Sequence, residues 1–448
     1  MYNDCVDLIG AIFLFGEIIM TRIKKLSVLF LVFLLLLSGC KSKNKGEMNE
    51  GAQPAAPGTS AVSQSEGEST TESTGAAEAQ DPVVAHLVVA GDIMSHVPQN
   101  KDAYVASTQS YDFNHMIVEP AVQLRAADYA VGNLETVFGG GPNYSGYPTF
   151  NTPDALATAV KNAGFDLVST ANNHTRDQGM DGITRTLDVL DENGIAHVGT
   201  YRSKADRDAT NGIYVADVGG ISTAFLCYTY GLNGFSLPEG KEYAANVFNK
   251  DYTTTVSDFN YDLVDADMAA ARAMDTDLIA VIIHWGIEYQ TTPNDYQKSI
   301  AKHLAEQGAD IILGGHPHVL QPYETITATD TLGNEKETFV IYSFGNFISN
   351  QTQYEPATQS TILLDLELTK NPATGKTKIS GVSYTPYFML HRDDLPAGQQ
   401  RMLVDMHKAI REYEAGTSKY VGSNSYQKIK NALEFVHKIM GSEGDKAA

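Results

Sequence analysis

The amino-acid sequence predicts an α/β fold, built as a two-sheet domain flanked by helices, and three observations lead there. Short, near-continuous apolar runs alternate with helix-length stretches between Ala85 and Leu313, the texture of sheets covered on their outer faces by helices. Two strand patterns, Gly212 to Val218 and Ile221 to Thr229, meet at Gly219-Gly220 as a hairpin and open a second set of strands. A polar cluster follows one apolar run after another, as expected where strand ends gather reactive groups. At 448 residues the chain can bury one large core, and no repeat of solenoid period divides it.

Residues 1–40 read as a signal peptide. A basic region (Arg22, Lys24, Lys25) precedes an apolar stretch from Leu26 to Leu37, too short to span a bilayer comfortably. It ends in Leu37-Ser38-Gly39-Cys40, which resembles a bacterial lipobox, so Cys40 is the expected lipidation site and mature N-terminus. Met20 directly precedes the basic region, whereas residues 1–19 carry Asp4, Asp7 and Glu17, so Met20 is the expected start. Residues 41–81 are Gly, Ala, Ser, Thr, Glu and Gln with almost no large apolar side chain. Such a segment cannot offset its ordering entropy and is expected to be a disordered tether. The expected location is the outer face of the cytoplasmic membrane, held by the lipid anchor.

The globular domain is expected over residues 82–395. A strand at Ala85 to Ala90 is followed by a helix at Phe113 to Ala127 and a strand at Tyr129 to Val131. Then come a helix at Ala155 to Ala163, a strand at Asp166 to Thr170, a helix at Ile183 to Glu192 and a strand at Ile195 to Val198. After the hairpin the pattern gives a helix at Asp262 to Ala273, a strand at Leu278 to Ile283, a helix at Tyr296 to Gln307 and a strand at Ile311 to Leu313. Strands near Phe339 to Ser343, Thr361 to Leu368 and Ile379 to Tyr384 complete it, and residues 396–448 are expected to be C-terminal helices from about Gln399.

Composition narrows the function. A formal net charge of -22 argues against a nucleic-acid groove, which needs clustered Lys and Arg. The 3 cysteines, Cys5, Cys40 and Cys227, are too few and too dispersed for a disulfide framework. Cys227 lies in an alternating strand and reads as a small core residue.

The strand-end clusters carry the chemistry. They are Asp92 with His96, Asn133 with Glu135, Asn172-Asn173-His174, His284 with Glu288, His316 with His318, and Asn346. Each has a plainer reading alone: Asp92 as a cap, Glu135 as a surface carboxylate, His174 and His284 as hydrogen-bonded buried histidines. Together they supply hard oxygen donors and neutral imidazoles, a set that suits zinc, manganese or iron. In His316-Pro317-His318, alternate residues of an extended segment would face the same way and reach one centre or two adjacent ones. Two ions roughly 3.5–4 Å apart would activate water and clamp both oxygens of a displacement. His86, His115, His197, His303, His391, His407 and His437 lack such a setting and read as structural.

Gly91-Asp-Ile-Met, Gly132-Asn-Leu-Glu, Ala171-Asn-Asn-His, His284-Trp-Gly, Gly314-Gly-His-Pro-His and Tyr342-Ser-Phe-Gly-Asn-Phe resemble, in order, the motifs of the capsule-synthesis CapA family. The resemblance spans about residues 85 to 350. It implies the four-layer αββα arrangement of calcineurin-like metallophosphatases, one or two divalent ions, and a role in capsule or poly-γ-glutamate production. Residue by residue, it makes Asp92 and His318 ligands of a first ion and Glu135 the bridging carboxylate. Asn173, His284 and His316 become ligands of a second, and His174 the acid that protonates a leaving group. Two departures stand out: Met94 occupies the place of a ligand histidine, and Glu135 replaces a bridging aspartate. Either the first ion is weak or absent, or His96 substitutes for the missing ligand.

The expected function is therefore a metal-dependent hydrolase or transferase on an anionic envelope polymer such as poly-γ-glutamate. The alternative is a non-catalytic, polymer-binding subunit of a membrane-bound capsule synthase or export complex. A generic phosphoesterase fits less well because of the same departures. Mass spectrometry of membrane-extracted protein is expected to find Cys40 lipidated and the preceding residues absent. Cys40→Ala is expected to leave the protein released or unprocessed, and an unmodified Cys40 in the membrane fraction would refute the anchor.

Overall fold

The computed structural model describes residues 81–447, so the leader, Cys40 and all of the expected tether except Asp81 lie outside the described residues. In chain order the strands are β1 (Val83–Ile93), β2 (Tyr104–Val105), β3 (Ser110–Tyr111), β4 (Tyr129–Leu134), β5 (Leu167–Ser169), β6 (Ala196–Val198), β7 (Tyr214–Val218) and β8 (Ile221–Thr229). They continue as β9 (Leu278–His284), β10 (Ile311–Gly315), β11 (Leu320–Thr329), β12 (Glu335–Phe344), β13 (Asn346–Ile348), β14 (Ser360–Lys370), β15 (Thr377–His391) and β16 (Arg401–Asp405). The helices are α1 (Val97–Asp102), α2 (Pro120–Leu124), α3 (Ala155–Ala163), α4 (Gly179–Glu192), α5 (Lys204–Thr210), α6 (Tyr261–Ala273), α7 (Asp295–Glu306), α8 (Met406–Glu414) and α9 (Ser423–Met440).

One sheet runs β16-β15-β14-β1-β4-β5-β6, with β13 also on β1; the other runs β11-β12-β10-β9-β8-β7. β1, β4, β5 and β6 are mutually parallel, as are β8, β9, β10 and β12. Antiparallel strands occupy the flanks, including the expected hairpin β7–β8 across Gly219-Gly220.

Alternation along the central strands builds the layers. In β9, Leu278, Ala280 and Ile282 enter the core shared by both sheets, whereas Ile279, Val281 and Ile283 face the layer that includes α6 and α7. In β1, Ala85, Leu87 and Val89 face the shared core, and Val88 and Ala90 face α2, α3 and α4. The period of two therefore buries both faces and gives helix, sheet, sheet, helix. Cys227 lies in the shared core, where burial pushes its thiol up to about 12.

Among the differences from the sequence reading, three concern the sandwich and its flanks. The stretch Phe113 to Ala127 is a 3₁₀ turn at Asn114–Met116 followed by the short α2. Pro120 begins α2, the first-turn position where a missing N–H costs nothing, and it forbids one continuous helix. β11 was not legible: it is an edge strand carrying Pro322, with polar residues alternating along its exposed half. Helices do close the chain, but the strand β16 comes first and pairs with β15. Ile429, Ala432, Val436 and Met440 of α9 then enter the inter-sheet core beside Tyr384 and Phe388 of β15. No boundary in packing falls at residue 396, because α9 is part of the sandwich.

Ile429 is 0% exposed and Val122 74% exposed. Ile429→Ala should cost about 2–5 kcal/mol in denaturant unfolding, whereas Val122→Ala should stay within about 0.5 kcal/mol. Equal effects would mean that α9 does not support the core. Cys227 should resist alkylation in the folded protein and react once it is unfolded. Rapid labelling under native conditions would contradict its burial.

Candidate metal centre

The C-terminal ends of β1, β4, β5, β9 and β10 converge, and the sequence places a ligand-type side chain just at or after each. β1 is sandwiched at its end: Asp92 is in register with Asn133 of β4 and with Asn346 of β13. Glycine permits this closeness. A Cβ at Gly91 would lie 2.1 Å from the Gly345 carbonyl oxygen, and one at Gly315 would lie 2.9 Å from Asp92 Oδ1.

Glu135 sits at the centre. Its side chain is wholly buried, its two oxygens have no hydrogen-bond partner, and His284 Nε2 lies 3.4 Å and His318 Nε2 3.9 Å from Oε1. Ligand-type atoms of Glu135, His316 and His318 lie within 4.8 Å of one another, and so do those of Asp92, Glu135 and His284. Glu135 belongs to both groups, the position of a bridging carboxylate. Asn173 Oδ1 lies 2.9 Å from His284 Nε2, which adds the amide to the second group.

Neighbouring amides fix these donors. Asn133 donates to Asp92 Oδ1 at 2.8 Å and accepts from the Ser169 hydroxyl at 2.9 Å. Asn346 Oδ1 lies 3.0 Å from His318 Nδ1, and its own amide donates to the Thr358 carbonyl oxygen and to Gln351. A carbonyl oxygen only accepts, so Nδ1 carries the hydrogen and Nε2 is directed at the centre. Asn172 is a loop clasp: it donates to the Leu134 carbonyl and accepts from the His174 N–H. Asn133, Asn172 and Asn346 therefore position other groups.

The turn that brings His316 and His318 together is not extended. His316 has φ +97° and His318 φ +59°, left-handed values that strain residues with a Cβ by about 1–3 kcal/mol each. Their rings lie 5.8 Å apart through this turn, rather than through the alternation of a strand.

His174 lies in the loop after β5, next to Asn173. Its Nδ1 lies 2.8 Å from Asp177 Oδ2, and Phe150 packs against the ring at 4.6 Å. The carboxylate holds the hydrogen on Nδ1 and leaves Nε2 for exchange. Asp177, Phe150, Tyr230 and Asn233 were missed in the sequence. Only Asp177 left a signal, three residues after His174. Tyr230 packs on His316 at 4.6 Å, and Asn233 accepts from the Asn173 amide at 3.1 Å.

Two expected candidates stand apart. His96 heads α1, accepts from the Asn350 N–H through Nδ1 and packs on Phe150, and its atoms join neither group of converging donors. It does not replace the histidine whose place Met94 takes. Glu288 is exposed, and its charge bears on His318 and Tyr230 without joining either group of donors.

Electrostatics follow from burial among mixed charges. Burial would raise the Asp92 carboxyl, but His318 and His284, with the Asn133 amide, hold it below its ordinary value. Burial drives His316 well below the ordinary imidazole range, helped by His284 and His318, and drives His96 down to about 4. Burial also works against a charge on His318, but Glu135 and Asp92 outweigh it and raise the group to about 9. A buried carboxylate without a donor and a buried imidazole nitrogen without a partner, Glu135 and His316 Nδ1, are lone pairs that call for a cation. With oxygen and nitrogen donors side by side, the residues fit a divalent ion of the manganese, zinc or iron kind.

Residues 86–351, more than half of the chain, match the family described as bacterial capsule synthesis protein PGA_cap. The chain is 30% identical to the PGA biosynthesis protein CapA of Bacillus subtilis over 295 residues, covering 65% of this chain and 70% of that one. It is 29% identical to the capsule biosynthesis protein CapA of Bacillus anthracis over 300 residues, covering 62% and 66%. Among solved structures, a phosphatase from Mycoplasma pneumoniae is similar over 68% of this chain and 93% of that one, with TM-score 0.36 and 14% identity. The calcineurin-like phosphoesterase YfkN from Bacillus subtilis is similar over 80% and 98%, also with TM-score 0.36 and 14% identity. A likeness at that level says nothing of chemistry. The family match rests on the stretch of chain that carries all the converging side chains, and the protein belongs to the bacterial capsule synthesis family PGA_cap.

Proposed function

We propose that this protein is an extracytoplasmic, lipid-anchored, metal-dependent hydrolase or transferase that acts on an anionic envelope polymer such as poly-γ-glutamate. The observation that carries the metal-dependent part is the buried, unpartnered Glu135 carboxylate shared by two groups of donors. The polymer comes from the family: the relatives in Bacillus subtilis and Bacillus anthracis are described as PGA and capsule biosynthesis proteins. The anchor comes from Cys40 and its leader.

Asp92, Glu135, Asn173, His284, His316 and His318 would hold the ion or ions. Such an ion supplies positive charge to a carbonyl or phosphoryl oxygen and makes water acidic enough to attack near neutral pH. The chain's own groups do the rest. Phe150 and Tyr230 wall the pocket against bulk water, and Asn133 and Asn346 keep Asp92 and His318 aimed. His174, held by Asp177 on one nitrogen, would give a proton to the leaving atom from the other.

A second reading keeps a specific observation in its favour. Met94 is buried where ordinary metallophosphatases carry a ligand histidine, so a non-catalytic polymer-binding subunit of a synthase or export complex is the alternative.

Metal analysis of purified protein decides between them. His316→Ala and His284→Ala should strip bound metal, since loss of a supporting group alone typically costs about 10–100-fold in affinity and loss of a ligand more. His174→Ala should keep the metal while turnover of γ-glutamyl polymer falls by roughly 10²–10⁴-fold. If wild-type protein holds no metal above background after incubation with manganese or zinc, the catalytic reading fails and the polymer-binding subunit stands.

A further inference from the structure

Outside the centre around Glu135, a second convergence of donors lies where the chain folds back after α9. His407 is the second residue of α8, His437 lies in the last turn of α9, and Asp445 lies in the segment that follows. His407 Nε2 is 2.6 Å and His437 Nε2 2.7 Å from the same oxygen, Asp445 Oδ2. One donor atom of each residue lies within 4.8 Å of the others. No sequence pattern links the three residues, because they belong to separate elements.

The Asp445 side chain is 0% exposed. Its other oxygen accepts the Ala447 N–H at 3.0 Å, and among the described residues no Lys or Arg pairs with it. The neighbouring Lys446 is engaged instead by Asp365. A buried carboxylate needs a compensating positive charge, and here only two imidazoles are in reach. Burial would raise the Asp445 carboxyl, yet the His437 and His407 contacts keep it low. Both rings turn Nε2 inward, and their side chains stay 15% and 27% exposed, so the cluster opens to solvent on one side. Two imidazole nitrogens and one carboxylate oxygen, with an open side, form the donor set that zinc takes with water as its fourth ligand.

We infer that His407, His437 and Asp445 form a second zinc site that pins the segment after α9 to the sandwich. The segment is already laid along β15. Tyr384 donates its N–H to the Gly444 carbonyl at 2.7 Å, and Lys446 donates back to the Tyr384 carbonyl at 3.0 Å. An ion at Asp445 would tie this short ladder to the start of α8 and the end of α9. Binding of zinc releases the imidazole protons and takes over the compensating charge.

The test uses the full chain, stripped with a chelator and titrated with zinc. In a His284→Ala/His316→Ala background, which disables the centre around Glu135, one equivalent of zinc should remain. Adding His437→Gln or Asp445→Asn should weaken that equivalent by more than about 100-fold. Absence of zinc from the background protein, or binding unchanged by His437→Gln, overturns the inference. Should a variant fail to fold, hydrogen exchange on wild-type protein decides. Zinc should slow exchange in residues 441–447 and at the start of α8, and protection confined to the loops around Glu135 also overturns it. Because the two sites are read separately, failure here leaves the proposed function untouched.

Discussion

Glu135 sets the constraint around which the site is arranged. A carboxylate with no exposure and no donor loses its hydration without replacement, a cost of several kcal/mol that a fold bears only when positive charge is close. Among the described residues no Lys or Arg pairs with it; the imidazole nitrogens of His284 and His318 lie 3.4 Å and 3.9 Å from its Oε1. The raised proton affinity of His318 is the same fact seen from the other side, because without a metal the proton stands where an ion's charge would be. The strained turn at His316 and His318 follows too. A relaxed strand would aim successive imidazoles to opposite faces and alternate ones to the same face, and neither delivers two rings to one carboxylate from a chain reversing at that point.

The architecture delivers these groups because parallel strands end together. β1, β4 and β5 in one sheet and β9 and β10 in the other terminate on the same side, so strand ends and loops far apart in sequence bring Asp92, Glu135, Asn173, His284 and His316 together. The core beneath them is apolar and interleaved, which keeps the strand ends from drifting. α9 belongs to that support: its apolar face fills the space beside β15 and β14, and β16 extends the same sheet.

The fold was legible where one residue pattern maps to one structure. The hairpin at Gly219-Gly220 fixed its own register, and α3, α6 and α7 announced themselves through apolar spacing and ends. It was not legible where tertiary context decides. β11, an outermost strand carrying Pro322, and the five-residue β16 gain their meaning only from the neighbours they pair with. The site followed the same division. Donors just after apolar strands were readable as a set, but their ranking was not. Asn133 and Glu135 are two residues apart, yet one orients a ligand and the other is the unpartnered charge, a difference made by Asp92 and Ser169 from other strands. His407 and His437 looked ordinary because Asp445 reaches them only through the fold-back along β15.

Met94 and His96 bear on how the centre divides its charge. Met94 is buried with its N–H given to the Ile348 carbonyl, and its thioether brings no nitrogen or oxygen donor to the centre. His96 cannot turn in to replace it without giving up the Asn350 N–H and its contact with Phe150. The converging donors group otherwise than the resemblance implied: Asp92 lies with His284 and Glu135, and His316 lies with His318 and Glu135, with the Asn173 amide beside His284. Asn133 and Asn346 hold Asp92 and His318 in place, and rigidity preserves geometry without adding a donor. Under the proposed function, Glu135 is therefore the carboxylate on which both groups depend. An ion held there would act on a substrate oxygen, and His174, next to Asn173 in the loop after β5, would supply the proton.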